Sequence, residues 1–260
     1  MTNPAELFSV KGKTAVITGG TRGIGLDMAR ALVANGAKVI ISSRKDVAVE
    51  AAVEELAKHG DASGFAADLG TIEGAKALAE FVGSKTDKVD ILINNAGATW
   101  GSTLEDFPED GWDKIMNVNL KGPFFLTQQM LPFLKAAAEP NSPAKVINVA
   151  SVEGMRAGQM ETYSYGASKS ALIHLTEHLA LQLAGRNITV NAIAPGPFAT
   201  KMMAGTIQMA GEDTIAAMVP LKRLGQSEDL YAMALYLGSG ASNYVTGQTI
   251  ALGGGLGTIA

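Results

Sequence analysis

Tyr165 and Lys169 stand four residues apart in the stretch TYSYGASKS, residues 162–170. On a helix that spacing puts two side chains on one face; the six-residue interval between Tyr163 and Lys169 does not. Free tyrosine, with a pKa of about 10, is a weak acid and almost never a base at neutral pH. An ammonium one turn away favours the phenolate, which would help a proton move in either direction between the phenol and a developing alkoxide. The spacing selects Tyr165 over Tyr163 as the acid and predicts that Tyr163 lines a pocket or packs.

A second chemistry-bearing stretch, TGGTRGIG at residues 18–25, follows the apolar run TAVIT and precedes the helical pattern LDMARALVANG. Gly19, Gly20, Gly23 and Gly25, with Thr21 and Ile24 among them, are spaced Gly-x-x-x-Gly-x-Gly. Between a strand and a helix, such glycines let the backbone approach a pyrophosphate, and the helix start offers it free N–H groups. The alternative is a plain tight turn. Arg22 favours the ligand, because a cation at the positive end of a helix is unfavourable unless an anion joins it. The next apolar run ends IISSRK, where NAD sites carry an acid for the ribose hydroxyls. Ser43, Arg44 and Lys45 occupy that place, and Arg44 with Arg22 suits a 2′-phosphate, so the expected cofactor is NADP(H). Otherwise Arg44 and Lys45 merely begin a solvated helix. In AADLG, Asp68 is placed to meet an adenine or to cap the following helix. In NNAG, Asn94 with Asn95, Ala96 and Gly97 is placed along a ribose.

The elements that must position these groups alternate. Apolar, β-branched runs at 14–18, 37–42, 62–68, 89–95, 145–151, 188–195 and 248–252 are separated by helical patterns such as VAVEAAVEELAKHG. Runs apolar on both faces predict a parallel sheet of about seven strands with helices on each side, a Rossmann-type doubly wound α/β fold. The 260 residues show no linker or composition shift, so the expectation is one domain. Its cofactor half would cover about 1–150 and its catalytic half about 151–260, with residues 196–226 inserted as a lid after the sixth strand. With 47% hydrophobic and 18% charged residues the chain is expected to bury a large core. No apolar run reaches the roughly 18 residues of a membrane span, and the N-terminus lacks signal-peptide order, so a cytoplasmic protein is expected. The absence of cysteine excludes disulfides, thiolate metal sites and cysteine nucleophiles. A net charge of −4 argues against general nucleic-acid binding.

TGGTRGIG, Asp68-Leu69, NNAG, the NVN that ends at Asn119, Ser151, YGASK and PGPFAT from Pro195 to Thr200 occur together and in order. In these elements the chain resembles the classical short-chain dehydrogenases/reductases. Within them it is similar to the 3-oxoacyl-[acyl-carrier-protein] reductases, and through NNAGATWG and GWDKIM to the rhamnolipid-associated β-ketoacyl reductases. The resemblance implies a catalytic tetrad of Asn119, Ser151, Tyr165 and Lys169. It places Leu69, Pro195 and Gly196 at the cofactor and has Phe198 and Thr200 hold the nicotinamide carboxamide. In that scheme Ser151 donates to the substrate oxygen, although a serine there could equally cap a turn. Asn119 interrupts a helix and holds a water that relays protons to Lys169, or only kinks the helix. The chain departs from the pattern in two places. The Ser151–Tyr165 interval is one residue longer than is frequent in acyl-carrier reductases, and Leu252 replaces an aspartate in the usual DGG.

Met202, Met203, Met209 and Met218 in the insertion, and Met155 and Met160 before Tyr165, suit an adaptable apolar pocket for a hydrophobic carbonyl substrate, or else pack the lid. Arg156, Lys121, Lys201, Lys222 and Arg223 are candidates for docking an acidic acyl carrier protein. A coenzyme A thioester or a free ketone is the alternative. The family resemblance implies a homotetramer. HLTEH, residues 174–178, matches an inverted zinc-peptidase pattern, but His174 and His178 lie turns away from Tyr165, and surface or interface histidines are expected, with no metal. A redox sensor that binds NADP without turnover is the alternative function, and the presence of both Tyr165 and Lys169 argues for catalysis.

Overall fold

The computed structural model describes residues 3–158 and 160–259. Its seven strands are β1 (Thr14–Thr18), β2 (Lys38–Ser43), β3 (Ala62–Ala66), β4 (Ile91–Asn94), β5 (Ala144–Val149), β6 (Ile188–Pro195) and β7 (Thr249–Leu252). They form one sheet in the order β3-β2-β1-β4-β5-β6-β7, every neighbouring pair parallel. The helices are α1 (Pro4–Leu7), α2 (Gly23–Ala34), α3 (Asp46–Ala57), α4 (Ile72–Gly83), α5 (Glu109–Met116), α6 (Gly122–Ala137), α7 (Tyr163–Leu183), α8 (Ala204–Ala210), α9 (Glu212–Met218) and α10 (Ser227–Gly238).

Strand side chains alternate between two cores, which is why the central strands are predominantly apolar on both faces. Ala15, Ile17, Val39, Ile41, Ile91 and Ile93 pack with α2, α3 and α10 on one face. Val16, Ile40, Leu92 and Val146 pack with α4, α6 and the end of α7 on the other. This is the single-domain Rossmann-type arrangement expected from the alternation. β1 and β6 match the apolar runs, β2 is displaced from its run by one residue, and β3, β4, β5 and β7 are one to three residues shorter than theirs. Just before β4, Asp90 still bonds its neighbours: its N–H donates to the Thr14 carbonyl at 2.9 Å, its carbonyl accepts from the Lys145 N–H at 2.8 Å, and its carboxylate accepts from the Thr14 N–H at 2.9 Å.

The chain winds outward from β1 through β2 to β3, then returns to place β4 on the other side of β1. At that reversal the loops after β1 and β4 diverge and leave a crevice at the strands' carboxyl ends, where such sheets bind ligands. The register sets Thr18 beside Ser42 and Asn94 beside Asn148 along this edge. Behind it runs a buried polar ladder. The Asn94 amide donates to Thr127 at 3.1 Å and to Asn148 at 2.9 Å, and the Asn148 amide donates to Thr176 at 2.9 Å. It fixes α6 and α7 against the sheet directly below the crevice.

Candidate active site

α7 starts beside the end of β5, so its first turns bring Tyr165 and Lys169 to Ser151. The Ser151 hydroxyl accepts from the Glu153 N–H at 3.2 Å, capping a short 3-10 turn over Val152–Gly154, and also lies within hydrogen-bonding reach of the Tyr165 phenol. The capping role is filled, and the same hydroxyl is left beside the Tyr165 phenol. Lys169 shares the face of Tyr165 as its spacing requires and is 4% exposed. Its ammonium donates to the Val149 carbonyl at 2.6 Å and stands 5.7 Å from the centre of the Tyr165 ring.

Burial lowers the Lys169 pKa to about 8. Tyr165 is raised above its ordinary value by burial, with the Ser151 hydrogen bond opposing and the Glu153 charge adding to the rise. The expectation that Lys169 holds this tyrosine low is corrected for the chain alone. Desolvation dominates, and the ammonium meets the ring and a backbone carbonyl.

Asn119 sits in a π-helical turn, Asn117–Lys121, between α5 and α6. Such turns interrupt the regular ladder, in keeping with the expected break. Three of its four hydrogen-bonding positions are used: Oδ1 accepts from the Ala98 N–H at 2.9 Å, and Nδ2 donates to the Ala98 carbonyl and to Ser168 Oγ, each at 3.0 Å. The amide thus binds the loop after β4 to α7.

Across the crevice, Gly19 and Gly23 have φ of 64° and 52°, left-handed values that favour glycine. A Cβ on Gly25 would lie 2.5 Å from the Gly19 carbonyl and would also strike the Asn95 amide. That amide donates to the carbonyls of Thr18 at 2.8 Å and Gly19 at 3.2 Å, so Asn95 pins the glycine turn. Thr18 completes the joint, its Oγ1 accepting from the N–H groups of Asn95 and Ala96, each at 2.9 Å. Sequence reasoning missed this role, although the threonine heads the glycine motif. Thr21 and Ile24 are half-buried in the turn. Arg22 is extended, and no side chain caps the first turn of α2, so its N–H groups stay open. Arg22 and Arg44 are exposed, and neither makes a salt bridge among the described residues. Ser43, half-buried, ends β2 beside Arg44. A cradle without room for Cβ atoms, open N–H groups and two free guanidinium groups fit a dinucleotide carrying a 2′-phosphate.

A family model described as enoyl-(acyl carrier protein) reductase matches residues 19–257. The rhamnolipids biosynthesis 3-oxoacyl-[acyl-carrier-protein] reductase of Pseudomonas aeruginosa is 41% identical over 251 residues, 95% of this chain and 97% of that protein. A short-chain type dehydrogenase/reductase from Mycobacterium marinum superposes with a TM-score of 0.90 at 29% identity, over 97% of this chain and 98% of its own. The chain belongs to the short-chain dehydrogenases/reductases. Among solved structures of this family, the Pseudomonas aeruginosa RhlG/NADP active-site complex matches with a TM-score of 0.94 at 39% identity, over 97% of this chain and 99% of that one.

The remaining residues the family pattern points to line the same edge. Asp68 makes an Asx turn, its Oδ1 accepting from the Gly70 N–H at 3.0 Å, while Thr71 caps α4, so the capping alternative for Asp68 does not hold. Leu69 is buried in the core under α4 and α6. A Cβ on Gly97 would lie 3.4 Å from Asn119 Oδ1 and 3.6 Å from the Lys169 ammonium, so that loop converges on the Tyr165 cluster. Pro195 pairs with Leu252 at the end of β6, and the Gly196 N–H donates to the Leu252 carbonyl at 3.0 Å. Leu252 thus serves a strand contact where the family pattern has an aspartate. The Thr200 methyl would stand 3.2 Å from a Cβ on Gly23, which places Thr200 across the crevice from the glycine turn. The Phe198 ring turns inward, buried against Gly225, and anchors the inserted segment. Any contact of Phe198 with a ligand falls to its backbone.

The insertion folds as α8 and α9, with Ile215 and Val219 buried, while Met202, Met209 and Met218 are exposed. These three methionines do not pack the lid. The candidate basic patch is partly committed: Arg223 forms a two-pronged pair with Asp229 at 2.6 and 3.0 Å, and the Lys222 ammonium donates to the Ala217 carbonyl at 2.7 Å. His174 and His178 lie edge to face, centroids 4.9 Å apart, on an exposed stretch of α7 with Glu177 3.6 Å from His174. Tyr163 packs edge-on against Phe107, which meets Trp112 in the same way. Among the described residues no helix is long and apolar enough to cross a membrane.

Proposed function

We propose that this chain is an NADPH-dependent ketoreductase that reversibly converts a hydrophobic carbonyl compound, a 3-oxoacyl thioester or a related ketone, to the secondary alcohol. The observation that carries this reading is the convergence of two hydroxyl groups, Ser151 and Tyr165, with the buried Lys169 at the carboxyl end of β5. Two such groups suit a carbonyl oxygen: Ser151 steadies the growing negative charge by a hydrogen bond, and Tyr165 gives up its proton to it. NADPH supplies the hydride when bound. Arg22 and Arg44 would take its 2′-phosphate and the turn from Gly19 to Gly25 its pyrophosphate. Asp68 would meet the adenine, and the backbone from Asn95 to Gly97 the ribose. The stretch from Pro195 to Thr200 would cover the nicotinamide. Lys169 would hold the nicotinamide ribose and, with its charge near the phenol, help return the proton. Asn119 would set the loop against which both lie.

The family model is described by an enoyl reduction and the Pseudomonas relative by a 3-oxoacyl reduction. The paired hydroxyls suit the second, in which the carbonyl oxygen becomes an alkoxide that takes the proton itself, whereas an enoyl reduction passes through an enolate whose proton ends on carbon. The exposed methionines of the insertion suit a lid over an apolar chain. An acyl carrier protein is proposed as a partner, and a homotetramer in the cytoplasm as the working form.

The test is NADPH oxidation by purified protein with a 3-oxoacyl thioester, a bulky cyclic ketone and an α-diketone. Turnover that disappears in Tyr165→Phe while NADPH still binds is the expected result. NADPH binding without turnover of any carbonyl compound in an extended panel would overturn the proposal in favour of a non-catalytic NADP-binding protein.

A further inference from the structure

Glu153 follows Ser151 by two residues and faces the start of α7. Its N–H donates to Ser151 Oγ at 3.2 Å, and its Oε2 accepts from Thr162 Oγ1 at 3.1 Å. Thr162 immediately precedes α7, three residues before Tyr165, and makes no side-chain cap of its own. One residue therefore fastens the turn that carries Ser151 to the helix start that carries Tyr165. Its surroundings leave little slack. A Cβ on Gly158 would lie 3.3 Å from the Glu153 carboxyl carbon, and one on Gly154 would strike the α7 backbone at Lys169 and Ser170.

No cation pairs with this carboxylate among the described residues; burial raises its pKa above the ordinary carboxylate value, and the Thr162 hydrogen bond opposes that rise. Glu153 lines a recess of about 420 Å³ with Arg156, Tyr163 and Ala167, yet makes no salt bridge among the described residues. The Arg156 guanidinium donates instead to the Thr258 carbonyl at 3.3 Å, and the Lys169 ammonium to the Val149 carbonyl. Glu161, next to Thr162, adds only negative charge. The Tyr165 phenol feels this charge as the smallest of three influences, after burial and the Ser151 hydrogen bond.

We propose that Glu153 is a positioning residue: it clasps the Ser151 turn to the start of α7 and, as a carboxylate with no cation paired to it, adds to the burial that keeps Tyr165 in the protonated form that serves reduction. The inference rests on the ketoreductase reading for its purpose, but the state of the phenol can be measured without turnover.

The experiment titrates phenolate absorbance of the intact protein, with the Tyr165→Phe signal subtracted to isolate Tyr165, in the wild-type and Glu153→Gln backgrounds. Glutamine keeps an acceptor for Thr162 and removes the charge. Tyr165 is expected to ionise at lower pH in Glu153→Gln, and the loss of ketone reduction with rising pH is expected to move down with it. Thr162→Val breaks the clasp and leaves the charge, and is expected to lower kcat several-fold with the pH profile in place. A Glu153→Gln titration that superimposes on wild type overturns the proposal, as does a Thr162→Val profile displaced as far as that of Glu153→Gln. A shifted titration in a protein that reduces no carbonyl compound supports the action of Glu153 on Tyr165 and counts against the ketoreductase reading alone.

Discussion

Replacing Gly25 by alanine tests the cradle at the point where it has no room. The new methyl would sit 2.5 Å from the Gly19 carbonyl and against the Asn95 amide, so either the turn opens or the amide leaves. Overpacking of this kind costs about 1–3 kcal/mol. Displacing Asn95 gives up its hydrogen bonds to the Thr18 and Gly19 carbonyls, at about 0.5–1.5 kcal/mol each. The sum is about 2–6 kcal/mol, and for a chain of this size a fall in Tm of roughly 4–24 °C. Because the backbone displaced is the one proposed to receive the pyrophosphate, NADPH affinity measured by fluorescence titration should fall by at least ~10-fold, the equivalent of about 1.4 kcal/mol. Gly185→Ala is the control. Its Cβ would meet no atom within 4 Å, so it should be neutral or stabilise by about 0.4–1 kcal/mol through the unfolded chain. If Gly25→Ala melts with the wild type and binds NADPH equally well, the steric account of the cradle is wrong.

Arg44→Asp should weaken NADPH by roughly 10–100-fold, the worth of a charge-assisted hydrogen bond, and affect NADH far less, as steady-state KM values for the two cofactors would show. An unchanged cofactor preference would remove Arg44 from the phosphate site. Asn119→Leu should lower stability by about 2–4 kcal/mol in urea melts, since three hydrogen bonds to Ala98 and Ser168 disappear from a buried position; a loss under about 1 kcal/mol would show the joint to be dispensable. Lys169 binds its proton less tightly folded, at about 8, than unfolded, near 10.5, so between these values the unfolded chain holds more protons and stability rises with pH. Wild type should therefore gain on the order of 2–3 kcal/mol relative to Lys169→Met as pH climbs through that window, and parallel Tm curves for the two proteins would refute it.

The sheet was legible because its signal is local. A strand buried on both faces is mostly apolar, and the runs of Ile, Leu and Val in IISS, ILIN and KVINV announce themselves. The Tyr165–Lys169 pairing was legible because four residues on a helix fix one face. What the spacing could not reveal was competition for each polar group. Asn95 reads as a ribose contact until the Gly19 carbonyl is seen to lie within reach of its amide. Phe198 reads as a cofactor residue until Gly225, far along the chain, is seen to open a slot for its ring. Lys169 reads as the group that lowers Tyr165, but a pKa is set by everything around the proton, and burial is a property of the whole fold.

Glu153 shows why such competition hides functional candidates. In sequence it is one acid in a loop of mixed composition, and no periodicity, motif or charge run marks it. Its significance arises from three placements that become neighbours only after folding: the Ser151 hydroxyl, the Thr162 hydroxyl and the Tyr165 phenol. Ser151 and Tyr165 are joined by a loop whose two ends Glu153 holds together. Without the clasp a loop of this length would let the two hydroxyls drift apart. Shortening it by one residue at Ala157, inside the segment that the clasp closes, should then make Glu153→Ala less damaging to kcat than it is in the native loop. If the two losses are equal in both loop lengths, the clasp and the loop act independently, and the positioning role of Glu153 reduces to its charge.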